Sequence, residues 1–341
     1  MNTPQIKNKS ILGLQALFIA TILFVTNFTF GINKDTNTPF FTAPLKTTNK
    51  RGRVDFVEDA DGKKFILKYN TRGVEYAIHD TLGATVGQSV GVNINSVKIF
   101  PPQDTSISSV DRFPTMVKTL HTHVPGEQVC NIETMQKDIY IQGGLTHMDN
   151  LNSITKNKKL RKKAALDTYL DNWDGHIVNL FYDKDNDQFY AIDMDMIFCR
   201  NKDFLLSSGA RRFLKFRKKY AQFSVEEKQA LASVNKNLEK LTSEYPPEKL
   251  YDKRTEIAKE AHHTYNASEQ EKFRTLIEHN FKETKRLQVL LNNIVNDTDV
   301  KSFQILPHTI YKKPISTHFI FKNMAKPSKI AEQNFQQTMN S

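Results

Sequence analysis

The stretch LDTYLDNWDGHIVN (Leu166–Asn179) gathers two acids, a histidine, asparagine and the chain's single tryptophan between Asp171 and Asn179. It reads either as a polar loop behind a helix or as the centre of an active site. Leu166, Tyr169 and Leu170 close an apolar helix face, and Asp171 reads as a cap or turn residue. The next segment, NLFYDKDNDQFYAIDMDMIF (179–198), predicts a β-hairpin with an acidic turn. A hairpin runs out and back, so its two ends lie close together. Asn179 and Asp193 therefore face one region, with Asp174 just ahead of them. An amide oxygen and a carboxylate are hard ligands suited to Mg²⁺ or Mn²⁺. The turn Asp183–Gln188 is not a calcium loop. Gln188 stands where such a loop needs glycine, and Met194 stands where it needs a bidentate glutamate.

The rest of the chain sets the frame. It has 341 residues, 39% of them hydrophobic and 10% aromatic, with 23 Phe. That supports one large or two modest domains with a real core and excludes wholesale disorder. The net charge of +11 favours phosphate-bearing partners without choosing among them. Lys7 and Lys9 precede an apolar run from Ile11 to Val25, so residues 1–31 read as a signal peptide or uncleaved signal anchor. Either reading predicts an exported or membrane-anchored protein with the bulk of the chain outside the cytoplasm. Two cysteines, Cys130 and Cys199, exclude a disulfide framework and leave one bridge or two buried thiols.

Residues 32–50, rich in Asn, Thr and Lys, read as a linker. VDFVEDADGKKFILKYN (54–70) alternates about a DG turn and predicts a hairpin. Val74, Ile78 and Leu82 recur at helical spacing, with Gly83 and Gly87 marking the helix end. VNINSVKIF (92–100) and FPTMVKTLHTHVPG (113–126) predict two more strands. After residue 150 the pattern turns helical. Ser224 with Glu227 forms a capping box, Pro246-Pro247 breaks the chain, and Ser268 with Glu271 reads as a further cap.

The motif N-W-D-G-H-I-V-N (172–179), followed after a hairpin by A-I-D-M-D (191–195), resembles the core of the atypical kinases. These are the HipA-like kinases, the type II phosphatidylinositol 4-kinases and the secretory-pathway kinases. The resemblance implies an α+β, two-lobed protein-kinase-like fold, with a small β-rich N-lobe and a mainly helical C-lobe. It implies Asp174 as catalytic aspartate, Asn179 and Asp193 as metal ligands, and His176 as a brace of the loop or a neighbour of the transferred phosphate. Asp195 stands where many relatives carry glycine, and is either an extra carboxylate or the ligand itself. A kinase also needs a strand lysine and a helix acid to orient it. Lys68 in FILKYN and Glu75 in RGVEYAIHDTLG stand in that order. The segment VKTLHTHVPG falls at the lobe-connecting hinge, so the backbone near Leu120 is expected to meet adenine. Two departures stand out. Gly175 replaces the family's usual arginine, and no glycine-rich phosphate loop precedes Arg53, where KRGR (50–53) is a poor substitute.

These expectations define a signal segment (1–31), a linker (32–50), an N-lobe and hinge (51–126), a helical C-lobe (127–300) and a tail (301–341). The expected activity is ATP- and Mg²⁺- or Mn²⁺-dependent phosphoryl transfer to a hydroxyl. A protein Ser/Thr is the first choice of acceptor and a phosphatidylinositol-type lipid the second. A catalytically inactive, membrane-tethered pseudokinase scaffold is the non-enzymatic alternative. A metallohydrolase built on His121, His123 and His147 would need many βα units, which the helical second half does not offer. The basic run KNKKLRKK (156–163) reads as a solvated helix start or a site for anionic lipid headgroups or nucleic acid. The export segment and the lack of interleaved aromatics disfavour nucleic acid.

Overall fold

Alternating side chains put Phe65, Leu67 and Tyr69 on one face of a strand and Ile66 and Lys68 on the other, and this strand organises the N-terminal part of the protein. In the computed structural model, residues 40–132, 151–172, 174–175, 177–198 and 223–296 are described. The predicted signal segment, His147, Trp173, His176, Cys199 and the tail from 301 lie outside them. Among the described residues, no helix is long and apolar enough to cross a membrane.

The first sheet has five antiparallel strands in the order β1-β2-β3-β5-β4. These are β1 (Lys46–Arg51), β2 (Val54–Glu58), β3 (Lys64–Tyr69), β4 (Val97–Phe100) and β5 (Lys118–Thr122). β1 begins inside the segment whose composition reads as a linker. Its residues, KTTNKR, are almost all exposed at the sheet edge, where polar side chains are favoured because they discourage pairing with another chain. Arg51 pairs with Val54, so KRGR forms the tight β1–β2 turn, with Gly52 at φ +56°. Val57, Phe65, Leu67 and Leu120 pack against Ile107 and Val110 of the 101–117 loop to form a small core.

Helix α1 (Val74–Ser89) crosses the other face of this sheet. Gly83 and Gly87 do not end it. They lie inside it because neighbours approach too closely for a side chain. A Cβ at Gly83 would sit 2.5 Å from Met194 Cβ, and one at Gly87 would sit 2.9 Å from Leu166 Cδ2. Through these contacts α1 joins the larger core, shared with the helices that follow.

That second region contains α2 (Leu151–Lys156) and α3 (Leu160–Tyr169). It also holds a three-stranded sheet of β6 (Glu127–Gln128), β7 (Leu180–Asp183) and β8 (Gln188–Ala191). Helices α4 (Val225–Glu244), α5 (Pro247–Glu260) and α6 (Ala267–Val295) complete it. Ser224 and Glu227 form the expected capping box, and Leu231, Val234, Leu238 and Leu241 are buried on one face. The cap of α6 is Asn266 with Glu269, two residues earlier than Ser268 and Glu271. Asn and Ser serve equally well as caps, so spacing alone left two candidates. Residues 123–126 carry the chain from β5 of the first sheet to β6 of the second. The protein is thus α+β, with a small antiparallel lobe and a helical C-terminal region, an arrangement consistent with a kinase-like fold.

Candidate active site

Lys68 projects from β3 toward α1 and the end of the β7–β8 hairpin. Its Nζ lies 2.6 Å from Asp193 Oδ1, 3.1 Å from Asp195 Oδ2 and 3.3 Å from Asp80 Oδ2. The four residues come from three separate segments of chain. Burial opposes the charge on Lys68, but the three carboxylates outweigh it and raise its pKa, so the ammonium stays protonated. Asp193 is only half-buried; its partial burial opposes ionisation, yet Lys68 holds its carboxyl below the usual range. Asp195 is pushed up to about 7 by burial and by the charge of Asp193. Asp193 sits at φ +57°, a left-handed conformation that aspartate tolerates.

Asp80 is the acid that orients Lys68, and it is 1% exposed. Its Oδ1 accepts from Met194 N at 2.9 Å, which ties α1 to the backbone between Asp193 and Asp195. Glu75, the expected partner, is directed elsewhere. It bonds Arg254 Nη2 at 2.5 Å and Tyr265 Oη at 2.6 Å, from α5 and the α5–α6 loop. The reason is helical geometry. Five residues separate Glu75 from Asp80, about 1.4 turns, so the two side chains leave α1 in different directions. Asp80 carried a signal in the sequence, since an acid amid AIHDTLG on a packed helix requires a partner. Behind it lies His121, with Nδ1 2.7 Å from Asn95 Nδ2 and Nε2 2.8 Å from Thr119 Oγ1. Burial holds this imidazole below its ordinary pKa despite the nearby Asp80. His123, by contrast, is exposed, so the H-x-H pair does not converge.

The loop after α3 is held from below by a chain of polar contacts. Lys163 pairs with Asp167 inside the protein. Asp167 Oδ1 accepts from Asn172 Nδ2 at 2.9 Å, and Asn172 Oδ1 accepts from Asp174 N at 3.1 Å. Asn179 Nδ2 donates to Asp174 O at 2.9 Å and to Asp174 Oδ2 at 3.1 Å. Through its amide nitrogen Asn179 thus positions Asp174. Across the hairpin, Ile192 N donates to Asn179 O at 3.0 Å, which brings the two ends together.

One oxygen each of Asp174, Asp193 and Asp195 lies within 4.8 Å of the others. Three hard oxygen donors at this spacing fit a divalent cation such as Mg²⁺ or Mn²⁺. Arg72 also reaches the cluster, 3.8 Å from Asp195 Oδ2. Leu120 does not present a free backbone. It is wholly buried in the middle of β5, flanked by Leu67 of β3 and Lys98 of β4. Its main chain is paired on both sides within the sheet.

Gly175 has a local explanation. A Cβ there would sit 2.7 Å from Asp167 Oδ2 and 3.4 Å from Lys163 Nζ. The Lys163–Asp167 pair fills the space that an arginine side chain at 175 would enter. Gly175→Arg is therefore expected to destabilise the protein by about 1–3 kcal/mol through overpacking. Urea denaturation checks this, and an unchanged midpoint would contradict it.

No known family and no curated protein matches the chain by sequence. Among solved structures, it is similar to the Helicobacter pylori proinflammatory kinase CtkA, at 10% sequence identity and a TM-score of 0.45. The match covers 76% of this chain and 99% of that one. A likeness this distant does not speak for the chemistry, which rests on the residues themselves.

Proposed function

We propose that the protein is a phosphotransferase that moves the terminal phosphoryl group of ATP to a hydroxyl, with a protein Ser or Thr as acceptor. The observation that carries this reading is one ammonium, Lys68, in contact with three carboxylates drawn from α1 and the end of the β7–β8 hairpin. Phosphoryl transfer needs positioning and charge neutralisation more than covalent chemistry. Lys68 is suited to bind phosphate oxygens as a point charge, and Asp80 fixes where that charge sits. Asp193 and Asp195, with Asp174 beside them, would hold Mg²⁺ or Mn²⁺. When bound, the cation supplies charge neutralisation on the phosphate oxygens. Asp174, steadied by Asn172 and Asn179, accepts a hydrogen bond from the acceptor hydroxyl and aims its oxygen at phosphorus. A new P–O bond then forms as the bond to the leaving diphosphate breaks, and the hydroxyl proton passes to Asp174.

Saturating Mg²⁺-ATP, at about 100 times its Kd, is expected to stabilise the full chain by about 2.7 kcal/mol. For a protein of this size that is a rise of roughly 4 °C in Tm. Asp193→Ala should abolish the shift. Radiolabelled ATP offered to mixed protein and phosphatidylinositol acceptors then identifies the acceptor. Absence of any shift would favour a catalytically inactive scaffold instead. The proposal extends to residues 1–31, whose basic start and apolar run would export or anchor the protein.

A further inference from the structure

The basic run 156–163 takes no part in the site described above, yet the fold gives it a definite shape. It forms the end of α2, a turn and the start of α3. There it closes over a cavity of about 190 Å³ behind the β7–β8 hairpin. Lys158, Lys159, Lys162 and Lys163 line the cavity together with Asn93 and Gln188, and no acidic side chain does.

The charges are not equally available. Lys163 is spent on the buried Asp167, and Lys159 pairs with Asp187 at the rim. Lys158 is exposed and has no carboxylate partner among the described residues. Lys162 donates only to a carbonyl, Gly91 O, at 3.2 Å. The absent side chain at Gly91 makes this possible, since a Cβ there would lie 3.2 Å from Lys162 Nζ. Gln188 gives its oxygen to Asn93 Nδ2 at 2.9 Å, which leaves its amide N–H groups as donors. Two uncompensated ammonium groups and an amide donor thus meet at one concave place.

We infer that this cavity is a binding site for a small phosphate-bearing anion. Two available positive charges match a phosphomonoester, which carries about −1.5 to −2 charges at neutral pH. The volume falls below the ~300–1,000 Å³ of sites for drug-sized ligands. It suits a phosphate on a small carrier rather than a nucleotide. The inference does not depend on the proposed phosphotransferase activity.

The test uses the full chain in EDTA, which removes divalent cations from the carboxylate cluster. Glycerol 3-phosphate is titrated by calorimetry. In parallel, the chain is sedimented with phosphatidylcholine vesicles with and without phosphatidic acid, which carries the same phosphomonoester on a lipid. Saturable binding is expected in at least one arm, and the arm that responds identifies the source. Lys158→Gln/Lys162→Gln should weaken it at least tenfold. Lys68→Met and the charge-matched Lys236→Gln/Lys272→Gln should retain it. The inference is overturned by no saturable binding in either arm, by binding that persists in Lys158→Gln/Lys162→Gln, or by equal loss in either control. Loss of ATP binding alone would overturn the phosphotransferase reading and leave this one standing.

Discussion

Lys68→Met and Asp80→Asn are each expected to lower phosphoryl transfer by at least ~10²-fold, the scale seen when one preorganised electrostatic group is removed from an active site. Glu75→Gln is expected to stay within about tenfold of the parent, because Glu75 has no contact with Lys68. Asp80→Asn is the more informative change. Its amide oxygen can still accept from Met194 N, as Asp80 Oδ1 does at 2.9 Å. On the other side, however, an NH₂ group would replace the oxygen that now lies 3.3 Å from Lys68 Nζ. That swap removes an anion and turns two donors toward each other, while the volume hardly changes. Turnover of radiolabelled ATP, with circular dichroism to verify folding, separates the three variants. If Glu75→Gln loses as much activity as Lys68→Met while Asp80→Asn does not, the assignment of Asp80 fails.

Arg254→Ala is expected to cost the fold about 2–3 kcal/mol, mainly through lost packing of the buried guanidinium and its stem, with a smaller part from the half-exposed Glu75 losing a partner. The Arg254 side chain is 3% exposed and bonds Glu75 Oε1 at 2.5 Å. Its guanidinium lies 3.7 Å from the Tyr265 ring centroid and 3.6 Å from that of Phe273. Truncation would strip Glu75 of a charged partner and leave a gap between two rings. Arg254→Lys should rescue little, because an ammonium lacks the planar face that stacks between them. Urea denaturation reads the loss, and a change below about 1 kcal/mol would refute the role.

The same contact predicts an acid dependence. Burial would raise the pKa of Glu75, but His79 and Arg254 overcome it and hold the carboxyl at about 2 instead of 4.5. A depressed folded-state pKa gives stability that is present above about 4.5 and is lost as pH falls toward 2. Glu75→Gln should flatten that part of the stability profile. The side chain of Glu75 is 36% exposed, so solvent screens this effect, and it should be smaller than that of Arg254→Ala. The contact also has a mechanical consequence. Glu75 and Asp80 share α1, so the helix that orients Lys68 is clamped at its start to α5 and the α5–α6 loop.

Much of this arrangement was legible in the residues alone. The DG turn and strict alternation in 54–70 determined the β2–β3 hairpin and put Lys68 on the face opposite Phe65, Leu67 and Tyr69. The out-and-back path of 179–198 determined that Asn179 and Asp193 would meet. Ser224 with Glu227 placed a helix start, and Pro246-Pro247 placed the break after that helix. All of these are short-range: periodicity, turn chemistry and capping act within a few residues, so a single stretch of sequence contains them.

What the tertiary structure alone decided is which long-range partners each polar group found. Glu75 and Asp80 both lie on α1, but only packing showed that one faces Arg254 and the other Lys68. Gly83 and Gly87 read as helix punctuation until Met194 and Leu166 were seen pressed against them. Gly175 looked like a missing arginine, and the Lys163–Asp167 pair shows what occupies the space beside it. Leu120 reads as a hinge residue by position, yet pairing on both sides makes it an interior strand residue. In each case the deciding neighbour is distant in sequence, and no local pattern encodes the direction in which a side chain will find its counter-charge.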